Sequence, residues 1–137
     1  MNILITGYKG QLGSEIQRLA EGWDKEDFHF IFTDKEELDI TDRNAVYEFV
    51  ELNNVSIIVN CAAYTAVDKA EEDAELCELL NHIAPSYLAE AIDNMGGSMI
   101  QISTDYVFDG KNYRPYTEND LTNPQGVYGR TKLAGEE

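Results

Sequence analysis

Cysteine is scarce: Cys61 and Cys77 are the only two in 137 residues, too few and too ordinarily placed for a disulfide framework or a metal knuckle. Cys61 closes an apolar run as a small hydrophobe does, so reduced thiols in the cytosol are expected and no metal site is. Long apolar runs are absent as well. No stretch approaches the ~20 residues that a membrane helix requires. The opening Met1-Asn2-Ile3-Leu4-Ile5-Thr6-Gly7 is far shorter than the core of a signal peptide and has no basic segment before it. A cytoplasmic location is the expectation. Basic side chains are few, 10 Lys and Arg against 26 Asp and Glu, for a formal charge of -16. Such a field repels phosphate backbones and anionic lipid surfaces, which argues against nucleic acid and membrane as partners. Its plain reading is a solvated surface. A nucleotide is also an anion, so a site for one must rest on local dipoles.

What is present is regular alternation. Four strand-length apolar runs, Asn2 to Thr6, Phe28 to Thr33, Ser56 to Asn60 and Ser98 to Ile102, are each bounded by polar residues or glycine. Between them lie stripes at helical spacing: Leu12, Ile16, Leu19 and Ala20; Val46, Phe49, Val50 and Leu52; and a longer one from Leu76 to Ile92. Pro85 predicts a kink or a new first turn in that last stretch. Thr41 or Asp42 is placed to cap the second helix, and Gly96-Gly97 to end the long one. Strands apolar enough to be buried on both faces, separated by helices, predict a doubly wound parallel sheet with its ligand beyond the carboxyl ends of the strands. Internal repeats, low-complexity tracts and linkers are lacking.

Asn123-Pro124 has the form of a helix cap followed by a first-turn proline, and the sequence stops at Glu137 before a fifth strand. The expectation is one nucleotide-binding domain over residues 1–137, incomplete at its C-terminal end. Its last helix is expected to be poorly anchored for want of the strand after it.

Two stretches carry chemistry. Gly7-Tyr8-Lys9-Gly10-Gln11-Leu12-Gly13 joins the first strand to the first helix. Gly7 suits a tight turn, Gly10 a close approach to a pyrophosphate, and Gly13 the packing of helix against strand. The free N–H groups of that helix end answer the charge objection. Asp34 follows the second strand where a carboxylate meets an adenosine ribose, favouring NAD(H), while Lys35 leaves NADP(H) open. Tyr128 and Lys132, four apart, project from one helix face. An ammonium beside a phenol favours the phenolate, so Tyr128 is the candidate proton donor to an alkoxide formed by hydride transfer. Thr104, in Ser103-Thr104-Asp105 after the fourth strand, is the hydroxyl chosen to orient the carbonyl.

The glycine turn, the Asn60-to-Glu71 stretch NCAAYTAVDKAE, the Ser103-to-Gly110 stretch STDYVFDG and the Val127-to-Glu136 stretch VYGRTKLAGE together resemble the dTDP-4-dehydrorhamnose reductases, of the extended short-chain dehydrogenase/reductase family. The likeness runs over the whole chain. It implies a Rossmann-type sheet, truncated before its last strands and a C-terminal substrate domain, and reduction of the C4 keto group of dTDP-4-dehydro-L-rhamnose by NADH or NADPH. By residue, it implies catalytic roles for Thr104, Tyr128 and Lys132. Around the cofactor it puts Gly10, Gln11, Leu12, Asp34, Asp39 and Ile40, and then Ala62, Ala63, Tyr64 and Thr65. Thr104 and Asp105 fall at the sugar. A chain of this extent is expected to bind cofactor with little turnover, and a homodimer of the full-length protein is allowed. Cys61 stands where the family often has alanine, and Gln101-Ile102 where a larger ring can occur; these leave cofactor preference open. Two other readings stay in play: a silent NADP(H)-binding regulatory subunit like that of methionine adenosyltransferase, and a sugar-nucleotide epimerase or dehydratase.

Overall fold

The computed structural model describes residues 1–23 and 27–137. Strands β1 (Asn2–Thr6), β2 (His29–Thr33), β3 (Val55–Asn60) and β4 (Ser98–Gln101) form one parallel sheet in the order β2-β1-β3-β4. Helix α1 (Gln11–Ala20) joins β1 to β2, and α2 (Arg43–Leu52) joins β2 to β3. After β3 come a 3-10 turn at Val67–Glu71 and one helical run made of α3 (Ala74–Glu78), a π turn over Leu79–Ile83 and α4 (Ala84–Asn94). A second 3-10 turn at Asp105–Val107 and a long loop lead to α5 (Val127–Ala134). This is the expected α/β, doubly wound, Rossmann-type winding. The chain leaves β1 on one side to make β2 and returns across it to make β3, so a crevice opens at the carboxyl ends of β1 and β3.

The sheet's two faces are unequal. Leu4, Ile31, Ile58 and Met99 share one register row and pack under α2 and α4 with Val46, Val50, Leu88, Ala91 and Ile92. On the other face Ile5, Phe32, Val59 and Ile100 are in register, and only β1 is well covered there. Ile100 is 54% exposed, so the expectation of strands buried on both faces fails at edge strand β4. The α1 stripe is correspondingly open: Ala20 is buried, whereas Leu19 is 56% exposed.

Local signals explain the helix ends. Asp42, not Thr41, caps α2, its carboxylate accepting from the amides of Asn44 (3.0 Å) and Ala45 (3.1 Å). Gly96 and Gly97 do end α4. Their N–H groups donate to the Asp93 and Ile92 carbonyls, with Gly96 at φ 67°. Pro85 marks a new first turn, the second of the two expected outcomes. It sits buried in the first turn of α4, just after the π turn absorbs the irregularity. Pro124 starts nothing: α5 begins three residues later at Val127, with Gly126 as its cap. Nor is α5 loosely held, since Gly129, Thr131 and Lys132 are buried against neighbouring turns.

Core and rim are separable by mutation. Leu88→Ala, at a fully buried site, should cost about 2–5 kcal/mol. Leu52→Ala, at 72% exposure, should change stability by no more than about 0.5 kcal/mol. Urea unfolding of both variants checks the assignment, and equal losses would refute it.

Candidate functional site

One polar residue ends each strand, and the four share a row. Thr33 pairs with Thr6, Thr6 with Asn60, and Asn60 with Gln101. The Thr6 hydroxyl donates to Asn60 Oδ1 (2.5 Å), Asn60 Nδ2 to Gln101 Oε1 (2.8 Å), and Gln101 Nε2 to the Ile102 carbonyl (3.2 Å). Beside this row, with Thr6 and Ile102 in its lining, lies a cavity of about 740 Å³, within the range of small-molecule sites.

The glycine turn makes one wall. Gly7 has φ 64°, and a side chain there would meet the Ala62 backbone at 2.7 Å. Gly13 acts differently from expectation. A Cβ on it would strike Gly7 O at 2.5 Å and Tyr8 Cα at 2.6 Å, so it packs the helix against the turn itself rather than against a strand. Gly10 caps α1 without a side-chain bond, which leaves the first amides of the helix facing the Gly10, Gln11 and Leu12 side of the cavity.

The segment after β2 makes the second wall, through Asp34, Lys35, Leu38, Asp39, Ile40 and Thr41. Asp34 is tied to the glycine turn, its carboxylate accepting from the amides of Lys9 (3.3 Å) and Lys35 (2.8 Å). Asp39 Oδ1 accepts from the Thr41 hydroxyl (2.6 Å) and amide (3.0 Å). Those bonds hold its carboxyl below the usual range, the hydroxyl's most. Ile40 lends only an edge, being 6% exposed and mostly part of the core.

Beyond β3, Cys61, Ala62, Ala63 and Thr65 complete the rim, and burial pushes the Cys61 thiol up. Tyr64 turns away. Its hydroxyl donates to Asp73 Oδ2 (2.7 Å), which drives its pKa up to about 12. Its backbone is clasped by Asn81, whose Oδ1 accepts from Tyr64 N (2.8 Å) and whose Nδ2 donates to Tyr64 O (3.2 Å). Asn81 Nδ2 also reaches Thr131 Oγ1 (3.2 Å) and Cys77 Sγ (3.3 Å), so one buried amide joins the rim to α5.

Helix α5 brings Tyr128 and Lys132 to the same cavity. Gly129 permits this, since a Cβ there would overlap Tyr106 O at 2.3 Å. The Tyr106 ring stands edge-on to Tyr128, centroids 5.5 Å apart. Lys132 is 3% exposed, and its ammonium donates to the Ile102 carbonyl.

The cavity therefore gathers most of the residues singled out above. Gly13, Tyr64, Thr104 and Asp105 lie outside its lining. The Thr104 hydroxyl accepts from Tyr106 N (3.3 Å) and donates to Asp105 Oδ1 (3.3 Å), capping the turn. Ser103, which sequence reasoning passed over for Thr104, is the hydroxyl in the lining, bonded to Glu136. Asn81 was missed too, although a lone amide inside an apolar helical stripe is a readable signal.

Burial pushes the Lys132 ammonium below its ordinary 10.5, opposed in part by Glu136 and Cys77. The folded chain thus holds this proton less tightly than the unfolded one. Folding is penalised while both states are charged, and the penalty lifts as pH rises from the lowered value towards 10.5. Lys132→Met should be at least as stable as the parent at neutral pH, and the parent should gain on it through that window. Thermal melts at graded pH test this; a variant several degrees less stable at neutral pH would overturn it.

All 137 residues match the model of a family described as the RmlD substrate binding domain. The dTDP-4-dehydrorhamnose reductase of Streptomyces griseus is 43% identical over 133 residues, which is 97% of this chain and 43% of that protein. A solved dTDP-4-dehydrorhamnose reductase from Clostridium acetobutylicum superposes with a TM-score of 0.94 at 49% identity, over 99% of this chain and 48% of its own. One from Bacillus anthracis, in complex with NADP, gives 0.92 at 38% identity, over 98% and 47%. The chain spans about half the length of the curated relatives it matches. With the glycine turn, the switch-point cavity and the Tyr128–Lys132 pair on one wall, the match over residues 1–137 means that the chain belongs to the RmlD substrate binding domain family.

Proposed function

We propose that the protein carrying this chain reduces the C4 keto group of dTDP-4-dehydro-L-rhamnose to dTDP-L-rhamnose with NADH or NADPH, and that residues 1–137 are its nucleotide-binding domain. One observation carries the reading: Tyr128 and Lys132 meet the glycine turn and Asp34 in a single cavity at the reversal point of a parallel sheet.

The residues fit a dinucleotide. The first turn of α1, capped by Gly10 alone, offers amide donors and a positive dipole end to a pyrophosphate. Asp34 and Lys35 stand side by side at the adenosine end, one suited to ribose hydroxyls and the other to a 2′-phosphate. Ala62, Ala63 and Thr65 line the path towards Tyr128. When bound, the reduced nicotinamide supplies the hydride.

The chain's own part is the proton. The Tyr128 phenol gives it to the oxygen of the former ketone. Lys132, fixed by the Ile102 carbonyl, holds its charge beside that phenol and presents donors to the nicotinamide ribose. Thr104 and Asp105 belong at the sugar; their mutual bond is long, 3.3 Å, and can be exchanged for one to a substrate hydroxyl. A silent regulatory subunit has no chemical use for the Tyr128–Lys132 pair.

In the intact protein, Tyr128→Phe should lower turnover by at least about a hundredfold while leaving NADPH affinity within about twofold. Loss of reduced-nicotinamide absorbance on adding the keto sugar, alongside a cofactor titration, measures both. Normal turnover in the variant would remove Tyr128 from its role.

A further inference from the structure

We infer that Glu71 is a positioning residue for Tyr128, acting through the first turn of α5; the inference rests on the reductase reading above. Helix α5 is eight residues long and opens without a cap of its own. Gly126 has no side chain to accept with, and the first turn holds no acidic residue. A helix start leaves its first amides unpaired unless something accepts from them. Here the acceptor comes from 56 residues earlier: Glu71 Oε1 lies 2.7 Å from Val127 N. By contrast, α2 is capped from its own Asp42.

The contact is built from both sides. Glu71 closes the 3-10 turn Val67–Glu71, which is pinned by the fully buried Ala70 beside it. That turn follows directly from the Ala62–Thr65 rim of the cavity. On the helix side, Gly126 leaves the room required, since a Cβ there would come within 3.1 Å of Glu71 Oε1. A carboxylate at this end also meets the positive pole of the helix.

What the clamp controls follows from order along the helix. Tyr128 comes right after Val127, inside the first turn. Lys132 comes a full turn later, where burial and the Ile102 carbonyl hold it independently. Loosening the first turn therefore displaces the phenol and spares the ammonium. Glu71 would thus set the proton-transfer step without touching cofactor binding. Asp68 of the same turn is exposed as Glu71 is, but it lies at the start of the turn and makes no such contact with α5.

The test uses the intact protein. Glu71→Ala should lower kcat about tenfold, since a small misplacement of a reacting group is costly, with NADPH affinity within about twofold of the parent. Glu71→Gln keeps an acceptor oxygen and should restore most of the loss. Amide exchange at Val127 to Gly129 should quicken at least about tenfold in Glu71→Ala and much less in Glu71→Gln. Parental kcat in Glu71→Ala overturns the inference, as does an equal fall in cofactor affinity or a Gln variant as poor as Ala. If the parent reduces no dTDP-4-keto sugar, the reductase reading fails instead. Exchange then decides the clamp: unchanged rates in Glu71→Ala overturn it, and quickened rates uphold Glu71 as the clamp on this turn.

Discussion

The site depends on a problem of buried polarity. Thr6, Thr33 and Asn60 are each at most 2% exposed, at the edge of a sheet where hydrocarbon would be easier to bury. A hydroxyl or amide in that position is costly unless bonded. Register supplies the partners: because all strand pairs are parallel and in step at their carboxyl ends, the last residues of β1, β2, β3 and β4 fall in one line, and Thr6, Asn60 and Gln101 bond in sequence. Among the described residues no buried side-chain nitrogen or oxygen lacks a partner. The line ends on the Ile102 carbonyl, which also accepts from Lys132. A one-residue slip of β4 would break the row and move the acceptor that fixes the lysine.

Helix α5 shows how a functional helix can be held without an apolar stripe. Its buried residues are Gly129, Thr131 and Lys132, none of them a large hydrophobe. Missing side chains allow backbone to approach backbone at Gly129, and at Gly135 a Cβ would meet Asn81 O at 2.1 Å. Between these points Thr131 bonds Cys77 and Asn81. Such contacts are directional, so they fix the angle of the helix about its axis in a way that a smooth hydrophobic seam does not. Orientation is what a paired phenol and ammonium require.

This explains what could be read from the residues and what could not. Strand periodicity located β1 to the residue and the others within one residue, because buried parallel strands have a strong apolar signature. The glycine turn and the Tyr128–Lys132 spacing were legible because each residue's chemistry is tied to its position. The start of α5 was not. Pro124 matches a first-turn proline, yet the helix waits until Val127, where a carboxylate from another segment accepts its first amide. That Ser103 lines this cavity and Thr104 does not was not legible either, since a one-residue difference in the direction of a loop leaves no trace in composition. The rim role of Asn81 needed the π turn that aims it.

A formal charge of -16 opposes a nucleotide in general, but most acids lie on exposed surface, where water and salt screen beyond about 10 Å. Inside the cavity the balance is local. Two carboxylates, Asp34 and Asp39, line it against Lys35, Lys132 and the first-turn amides of α1. Both carboxylates are already engaged, Asp34 by the amides of Lys9 and Lys35 and Asp39 by Thr41. Amides and lysines thus offset both acids, whose carboxylates are only partly satisfied by the wall and keep acceptor sites for a donor. The Lys9–Glu36 pair nearby, largely exposed at 3.0 Å, contributes little to that balance. An anion is therefore admitted by the orientation of a few fixed dipoles, and the net charge of the chain bears on its solubility more than on its site.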